Sequence, residues 1–283
     1  MARLIRRKLD AIVGPMGGAM AVAVVPQVNE AHLLMISPTA FTKTLTGIDD
    51  MFFRVDSQTT ECARKSAGAH YALGGRRVAP IIDESNQSYT ENWLADYQVA
   101  FTDAGGKVAA SLRFSSGDAT QLSVLAQQLV SSGASGVLIL ANSVDTALLA
   151  QQVRKLNARL PLAALEWAAT ERLTELGGKA VEGMNLAQFL DTDSSAPAYL
   201  DFRKAFMARF GQEPRFGGLA GFDAPKVVLA GLEGGGDQTL KQVIEARQPF
   251  QGAQATIRFD AYGDTVRETF LTAIRNGGHV RQR

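Results

Sequence analysis

The chain has 283 residues, 46% hydrophobic and 20% charged, a composition that supports folded cores and excludes a disordered chain. Lysine and arginine number 29 against 28 aspartates and glutamates, a net charge of +1, which argues against nucleic acid as the main partner because phosphate binding needs a basic face. The length predicts two domains at about 150 residues each. No apolar run approaches the roughly 20 residues that span a bilayer.

The sequence offers little material for metal or redox sites. Cys62 is the single cysteine, and His32, His70 and His279 are the three histidines. Cys62 has no partner for an intramolecular disulfide, and no two histidines stand at ligand spacing. We therefore expect no metal and no cofactor, and we expect Cys62 to be a small buried residue on the helix after Asp56.

The first eight residues are basic. A secretory signal peptide needs an apolar stretch of about 7–15 residues and a small-residue cleavage site after such a start. Neither follows in this sequence, so we find no signal peptide in the chain as given.

Segments of strand length alternate with segments of helix length along the first two thirds of the chain. The predicted strands are 11–13, 33–36, 51–55, 78–82, 108–114, 136–141, 160–165 and 184–189. Apolar residues three and four positions apart predict helices between them, at 19–28, 119–132 and 146–157. This alternation predicts parallel sheets with helices on both faces.

The last third changes character. It predicts three successive helices, at 197–210, 220–233 and 240–246, followed by strands at 256–260 and 270–274. The sequence Tyr262-Gly263-Asp264 between the two strands is typical of a turn. No long linker rich in proline or serine occurs, so we expect the domains to be joined by several short crossings.

A glycine turn, Gly14-Pro15-Met16-Gly17-Gly18, connects the first strand to its helix. Backbone N–H groups at Gly17, Gly18 and Ala19 suit a carboxylate or phosphate. A tight turn with nothing bound explains the same residues, and on this motif alone we favour it. The chain has neither the spacing nor the ribose-binding acid of a dinucleotide site, and it has no P-loop and no nucleophile elbow.

Acidic residues follow two predicted strands. Asp83 and Glu84 follow one, and Glu166 follows another, at the carboxyl ends where open α/β sheets bind ligands. Glu166 stands between Leu165 and Trp167, and a carboxylate in that apolar setting needs a partner such as a ligand ammonium. A loop acid that is exposed or paired with an arginine fits equally well, and Trp167 suits either a core or a ligand platform.

Tyr89 and Asn142 are further candidates. Tyr89 lies in the segment 83–93 and either reaches a ligand with its hydroxyl or covers the start of the helix. Asn142 follows the strand 136–141 and either contacts a ligand or caps the next helix; we favour the cap.

Five motifs occur in a fixed order. They are AIVGP at 11–15, LMISP at 34–38, FRV at 53–55, FDA at 222–224 and FDAYGD at 259–264. In this order the chain resembles, over nearly its whole length, the leucine/isoleucine/valine-binding proteins, the extracytoplasmic receptors of branched-chain amino acid ABC importers. The resemblance implies a two-lobed type I periplasmic-binding fold, with parallel sheets flanked by helices and a ligand cleft between the lobes.

The resemblance also implies the lobe boundaries and the activity. Lobe I is expected from 1–55 and 189–250, lobe II from 56–188 and 251–283, and the hinges near 54–57, 187–191 and 251–256. The protein is expected not to be an enzyme but to bind one solute in the periplasm, close around it and deliver it to an ABC permease. A ligand-sensing regulatory domain of the same fold is the alternative.

The family's ligand contacts map onto several positions here. Glu166 and Tyr89 match the residues that hold the ligand's ammonium group. The serine and threonine that hold its carboxylate fall on Gly18 or Ala19 and on Phe41, so backbone N–H groups, assisted by Thr39 or Thr42, take over that role. The predicted ligand-binding residues are Gly18, Ala19, Thr39, Ala40, Phe41, Tyr89, Asn142, Glu166 and Trp167.

Phe41 opens a second ligand hypothesis. It replaces a hydroxyl by an aromatic face, so an aromatic or other organic acid stacked on Phe41 or Trp167 competes with an α-amino acid. The resemblance further predicts that the chain lacks an N-terminal strand, helix and strand that precede the segment matching 3–15. We therefore expect a less stable first lobe with an exposed sheet edge and a tendency to associate.

Overall fold

A computed structural model describes residues 1–40, 42–56, 59–234 and 236–282, apart from the side chain of Ala119. The chain divides into two compact units. Unit 1 comprises Met1–Gln58 and Ser194–Glu268, and unit 2 comprises Thr59–Asp193 and Thr269–Arg283. The chain therefore passes between the units three times.

Helices and strands alternate along most of the described chain. The helices are α1 (Ala2–Ile5), α2 (Gly18–Glu30), α3 (Thr60–Ala72), α4 (Gln87–Asp103), α5 (Leu122–Ser131), α6 (Ser143–Leu156), α7 (Glu171–Gly177), α8 (Pro197–Phe210), α9 (Phe216–Leu232) and α10 (Leu240–Arg247). The strands are β1 (Ala11–Val13), β2 (Leu34–Ser37), β3 (Phe52–Arg54), β4 (Arg77–Asp83), β5 (Lys107–Val108), β6 (Leu112–Phe114), β7 (Gly136–Leu140), β8 (Leu162–Ala164), β9 (Asn185–Gln188), β10 (Phe250–Gln251), β11 (Thr256–Ile257), β12 (Phe270–Arg275) and β13 (Gly278–Arg281). No helix within these described residues is both long and apolar enough to cross a membrane.

Unit 1 contains a parallel sheet in the order β1-β2-β3. Successive side chains of a strand point to opposite faces, and β2 shows this directly. Leu34 and Ile36 pack with Val227 of α9 on one face, whereas Met35 packs with Val25 of α2 on the other. Both faces are covered by helices, which explains why every residue of β2 is buried.

Unit 2 contains an eight-stranded sheet in the order β13-β12-β9-β8-β7-β4-β5, with β6 also paired to β4. The strands from β4 to β9 run parallel, and β12 is antiparallel to both β9 and β13. The predicted strand 108–114 forms two short strands, β5 and β6, beside β4. The parallel α/β architecture with helices on both faces confirms the predicted fold class.

The C-terminal segment departs from the prediction. Residues 251–268, which we assigned to lobe II, belong to unit 1, where β10 pairs with β11 and Phe259 joins the apolar core. The predicted hinge at 251–256 is therefore wrong, and this crossing follows Glu268. The predicted turn exists, closed by a bridge between Phe259 and Thr265, but β12 pairs with β9 and β13 rather than with 256–260.

Buried ion pairs explain three of the motifs. Arg54 of FRV contacts Asp264 of FDAYGD at 2.6 Å, with side chains 3% and 5% exposed. Asp223 of FDA contacts Arg267 at 2.5 Å and accepts a hydrogen bond from the backbone N–H of Ala253. These pairs fasten the segment that ends at Glu268 to the rest of unit 1, so the motifs are structural.

Candidate ligand-binding site

In unit 1, the start of α2 lies at the carboxyl end of β1. Gly17 is the N-cap in an extended conformation, and no described side chain caps this end. The first intrahelical hydrogen bond runs from the N–H of Ala21 to the carbonyl of Gly17, so the N–H groups of Gly18, Ala19 and Met20 precede the helical ladder. This helix end offers backbone donors to an anion.

The hydroxyl groups of Ser37, the last residue of β2, and of Thr39, just after it, form hydrogen bonds within unit 1. Ser37 donates to the carbonyl of Pro15 at 2.6 Å and accepts from the N–H of Ala40 at 2.8 Å. Thr39 donates to the carbonyl of Met16 at 2.9 Å. A hydroxyl has one proton, so Thr39 in this conformation offers a ligand only an acceptor. The donors of this edge are therefore the backbone N–H groups of α2.

Two other predicted residues of this edge add little to it. The side chain of Ala40 is 1% exposed, and its N–H is the one bound to Ser37. Thr42 accepts a hydrogen bond from the N–H of Thr44 and begins a 3-10 turn. Phe41 lies outside the described residues.

In unit 2, Glu166 follows β8 in a 3-10 turn and is 4% exposed. The indole N–H of Trp93, on α4, donates to Oε2 of Glu166 at 2.9 Å. A buried carboxylate is stable only when such donors or a countercharge surround it. The structure thus excludes an exposed loop acid at this position.

Aromatic rings stand beside Glu166. Tyr89, near the start of α4, is buried, and its ring meets that of Trp167 edge to face, with centroids 6.0 Å apart and an angle of 78°. Trp167 itself is half-buried. One part of its indole therefore packs in unit 2 while another part is accessible to a small molecule.

A polar network occupies the carboxyl ends of β4, β6 and β7. Asp83 accepts from both the N–H and the hydroxyl of Ser85 and from the N–H of Ser116. Asp145 accepts from the hydroxyl of Ser116 at 2.5 Å and from Nδ2 of Asn142 at 2.7 Å. Ser116 thus connects two buried carboxylates through neutral donors.

Asn142 is the N-cap of α6, the role that we favoured. Its Oδ1 accepts from the N–H groups of Val144 and Asp145, at 2.9 and 3.0 Å. Its Nδ2 also donates to Ser116 at 2.9 Å. The amide is committed on both sides to the fold.

Replacing Asn142 by alanine should lower the free energy of unfolding of unit 2 by at least about 1 kcal/mol, the usual loss for an N-cap, because the variant also loses the hydrogen bond to the buried carboxylate of Asp145. Because the amide serves the helix rather than a ligand, the dissociation constant for ligand should stay within about twofold. Chemical denaturation and calorimetric titration of the variant test both expectations. A large loss of affinity at unchanged stability would make Asn142 a ligand contact instead.

Sequence reasoning missed Trp93 and Asp145. Trp93 stands four residues after Tyr89 and four before Tyr97 on α4, so it shares their helix face, and this spacing is a readable signal. Nothing in the sequence, however, places that face against Glu166. Among the described residues, no cluster of three or more histidine, cysteine, aspartate or glutamate side chains is placed to hold a metal ion.

A model of the periplasmic binding proteins matches residues 1–278 of the chain. The chain belongs to the periplasmic binding protein family. Proteins of this family bind solutes and are not enzymes, and no catalytic assignment is needed for the buried acids of this member. No protein of curated function matches its sequence.

Several solved structures share the fold of this chain. A leucine-binding protein, LivK of Thermotoga maritima, is 26% identical, with a TM-score of 0.88 over 100% of this chain and 81% of that chain. LivJ of Streptococcus pneumoniae, solved with isoleucine, is 18% identical, with a TM-score of 0.84 over 98% of this chain and 81% of that chain. A solute-binding protein of R. palustris, solved with benzoate, is 20% identical, with a TM-score of 0.87 over 99% of this chain and 79% of that chain.

Proposed function

We propose that this periplasmic binding protein captures a branched-chain α-amino acid outside the cytoplasm and delivers it to an ABC permease. The observation that carries the proposal is the buried carboxylate of Glu166 at the carboxyl end of β8. The likeness to the Thermotoga maritima leucine-binding protein, at 26% identity over the whole chain, supports the same class of ligand.

The charge of this edge in unit 2 favours a ligand with an amine. Glu166, Asp83 and Asp145 are all buried at the carboxyl ends of neighbouring strands or just after them. The donors to Asp83 and Asp145 described above are neutral N–H and O–H groups. Several carboxylates at one edge of a sheet attract an ammonium group and repel a second anion.

The start of α2 in unit 1 offers donors of the opposite kind. Its backbone N–H groups suit the carboxylate of an α-amino acid. In the proposal, the ligand binds one conformation of the protein better than another, and this difference in affinity shifts the protein to the bound conformation. Shifting a protein from almost entirely the unbound conformation to almost entirely the bound one requires a difference of about 5.5 kcal/mol between the ligand's binding free energies for the two conformations.

An aromatic or other organic acid is the second candidate. The half-buried indole of Trp167 is the observation that favours it, because a planar ring stacks well on such a face. The R. palustris relative, solved with benzoate, shows that a protein of this fold holds an aromatic acid.

A thermal-shift screen with leucine, isoleucine, valine and benzoate discriminates the two candidates. A ligand at about 100 times its dissociation constant adds about 2.7 kcal/mol to the free energy of unfolding. We expect a shift with the amino acids and none with benzoate. A shift with benzoate alone would transfer the assignment to the organic acids.

Replacing Glu166 by glutamine should weaken leucine binding at least ~30-fold, because a buried charge pair with the ligand ammonium is lost. Glu84→Gln is the matched control, since Glu84 follows β4 at the same sheet edge but is exposed, 3.7 Å from Arg113. Its dissociation constant should stay within about twofold. Equal affinity of the Glu166 variant and the unaltered protein would refute the proposed role of Glu166.

A further inference from the structure

We propose that Trp93 is a positioning residue: its indole N–H fixes Oε2 of Glu166 and so sets the orientation in which the carboxylate meets the ligand's amine. This inference rests on the proposed function, because Glu166 must contact the ligand for Trp93 to matter. The contact between Nε1 of Trp93 and Oε2 of Glu166 joins α4 to the turn after β8.

The geometry of the contact is that of a strong, directional hydrogen bond. The Nε1–Oε2 distance is 2.9 Å, the side chain of Trp93 is fully buried, and Glu166 is 4% exposed. An indole has a single donor and no acceptor, so the whole hydrogen-bonding capacity of Trp93 is directed at this one oxygen. Hydrogen bonds to an ionised acceptor are about twice as strong as neutral ones.

Trp93 is itself held by an aromatic column along α4. Trp93, Tyr97 and Phe101 stand at four-residue intervals and therefore share one helix face. Trp93 stacks on Tyr97 with centroids 5.8 Å apart and an angle of 16°, and Tyr97 stacks on Phe101 at 5.2 Å and 24°. The hydroxyl of Tyr97 lies 2.7 Å from Nδ1 of His70 on α3, whereas the position of the Trp93 indole depends on the stacked rings.

This arrangement restricts the carboxylate of Glu166 in two ways. The stacked rings prevent the indole from turning away, and the indole N–H holds one carboxylate oxygen in a defined direction. A binding group held by rigid neighbours loses less entropy when its ligand arrives. Removing the N–H while keeping an aromatic ring should therefore weaken the contact between Glu166 and an ammonium group.

The test is a double-mutant cycle of Trp93→Phe and Glu166→Gln, with calorimetric titration of leucine. Trp93→Phe should weaken leucine binding about tenfold when Glu166 is present. In the Glu166→Gln background the same replacement should change the dissociation constant by no more than about twofold, because Trp93 acts through the charge at position 166. A purely structural role of Trp93 would give the same factor in both backgrounds.

Tyr97→Phe is the matched control, because it removes a polar group from the same column and leaves the indole contact intact. Its leucine affinity should stay within about twofold of the unaltered protein. If Trp93→Phe changes the dissociation constant for leucine by the same factor in both backgrounds, while Glu166→Gln still weakens binding, only this inference is overturned and the proposed function stands. Unchanged affinity in Glu166→Gln, or no leucine binding by the unaltered protein, would overturn the proposed function and this inference with it.

Discussion

Replacing Asp264 by asparagine should destabilise unit 1 by about 3–5 kcal/mol, the usual cost of removing one member of a buried ion pair. Oδ1 of Asp264 accepts from Nε of Arg54 at 2.6 Å, and Oδ2 accepts from the N–H of Gly47 at 2.9 Å. Nη1 and Nη2 of Arg54 also donate to the carbonyl of Thr42 and to the hydroxyl of Thr46. Asparagine preserves the shape of the side chain but turns one of the two acceptor oxygens of Asp264 into an N–H donor, so the loss reports the missing charge together with one missing hydrogen bond.

Hydrogen exchange of peptides from unit 1 measures this loss where it should occur. Both tryptophans, Trp93 and Trp167, lie in unit 2, so their fluorescence reports the other unit and serves as an internal reference. Asp49→Asn is the matched control: Asp49 contacts Lys241 at 2.5 Å but its side chain is 75% exposed, and exposed pairs contribute about 0–1 kcal/mol. Equal effects of the two replacements would show that burial does not determine the contribution of the Asp264 pair.

The alternation of strands and helices can be predicted from local patterns of apolar residues in the sequence. Short apolar runs separated by helices with apolar stripes predict a parallel α/β sheet, and both the sheet of β1 to β3 and the part of the larger sheet from β4 to β9 have this form. The prediction works because a buried strand and its covering helix each display their period within a short stretch of sequence. The split between β5 and β6 did not follow, since the segment 108–114 keeps one apolar pattern across the break.

The path of the C-terminal segment could not be predicted in the same way. Strands β10 and β11 have two residues each, too few to show a period. What assigns 251–268 to unit 1 is contact with distant residues, and Arg54 and Asp264 are 210 positions apart in the sequence. Their charges are readable in the motifs, but which charges pair is decided only by the fold.

The candidate site shows the same limit. Asn142 and Glu166 are candidates from the sequence because they follow predicted strands, and position relative to a strand end is a local property. The donor to Glu166 was not found, since Trp93 lies on another element, 73 positions away. The hydroxyl of Thr39 was predicted as a ligand donor, but its proton is bound to the carbonyl of Met16, a contact that depends on how the glycine turn lies against β2.

Unit 2 should lose about 3 kcal/mol of stability between pH 6.5 and pH 4 through His70 alone. His70 lies on α3, is 1% exposed, and contacts the hydroxyl of Tyr97. Burial disfavours the charged imidazolium and lowers the pKa of His70 from 6.5 to about 4. Nε2 has no hydrogen-bond partner among the described residues, so a proton added there has no acceptor.

The sign follows from where the proton binds first. Below pH 6.5 the unfolded chain takes up a proton at this histidine while the folded chain does not, so the folded state loses stability as the pH falls. Well above pH 6.5 the histidine is neutral in both states and costs the folded state no stability. Each unit of difference in pKa between the two states corresponds to about 1.4 kcal/mol. Asp50 of unit 1 acts in the opposite direction, because burial raises the pKa of its carboxyl, so the pH dependence of the whole chain is not that of His70 alone and a difference between variants is needed to isolate His70.

Denaturation followed by tryptophan fluorescence, at a series of pH values from 7.5 to 4, provides that difference. His70→Gln should flatten the loss of stability across this range, whatever its own cost at pH 7.5. His32→Asn should leave the loss unchanged, because His32 is exposed and asparagine tolerates its positive φ of 48°. If His70→Gln retains the full pH dependence, the imidazole of His70 takes up its proton equally well in the folded and the unfolded state. Burial of His70 between α3 and α4 would then not disfavour the charged imidazolium.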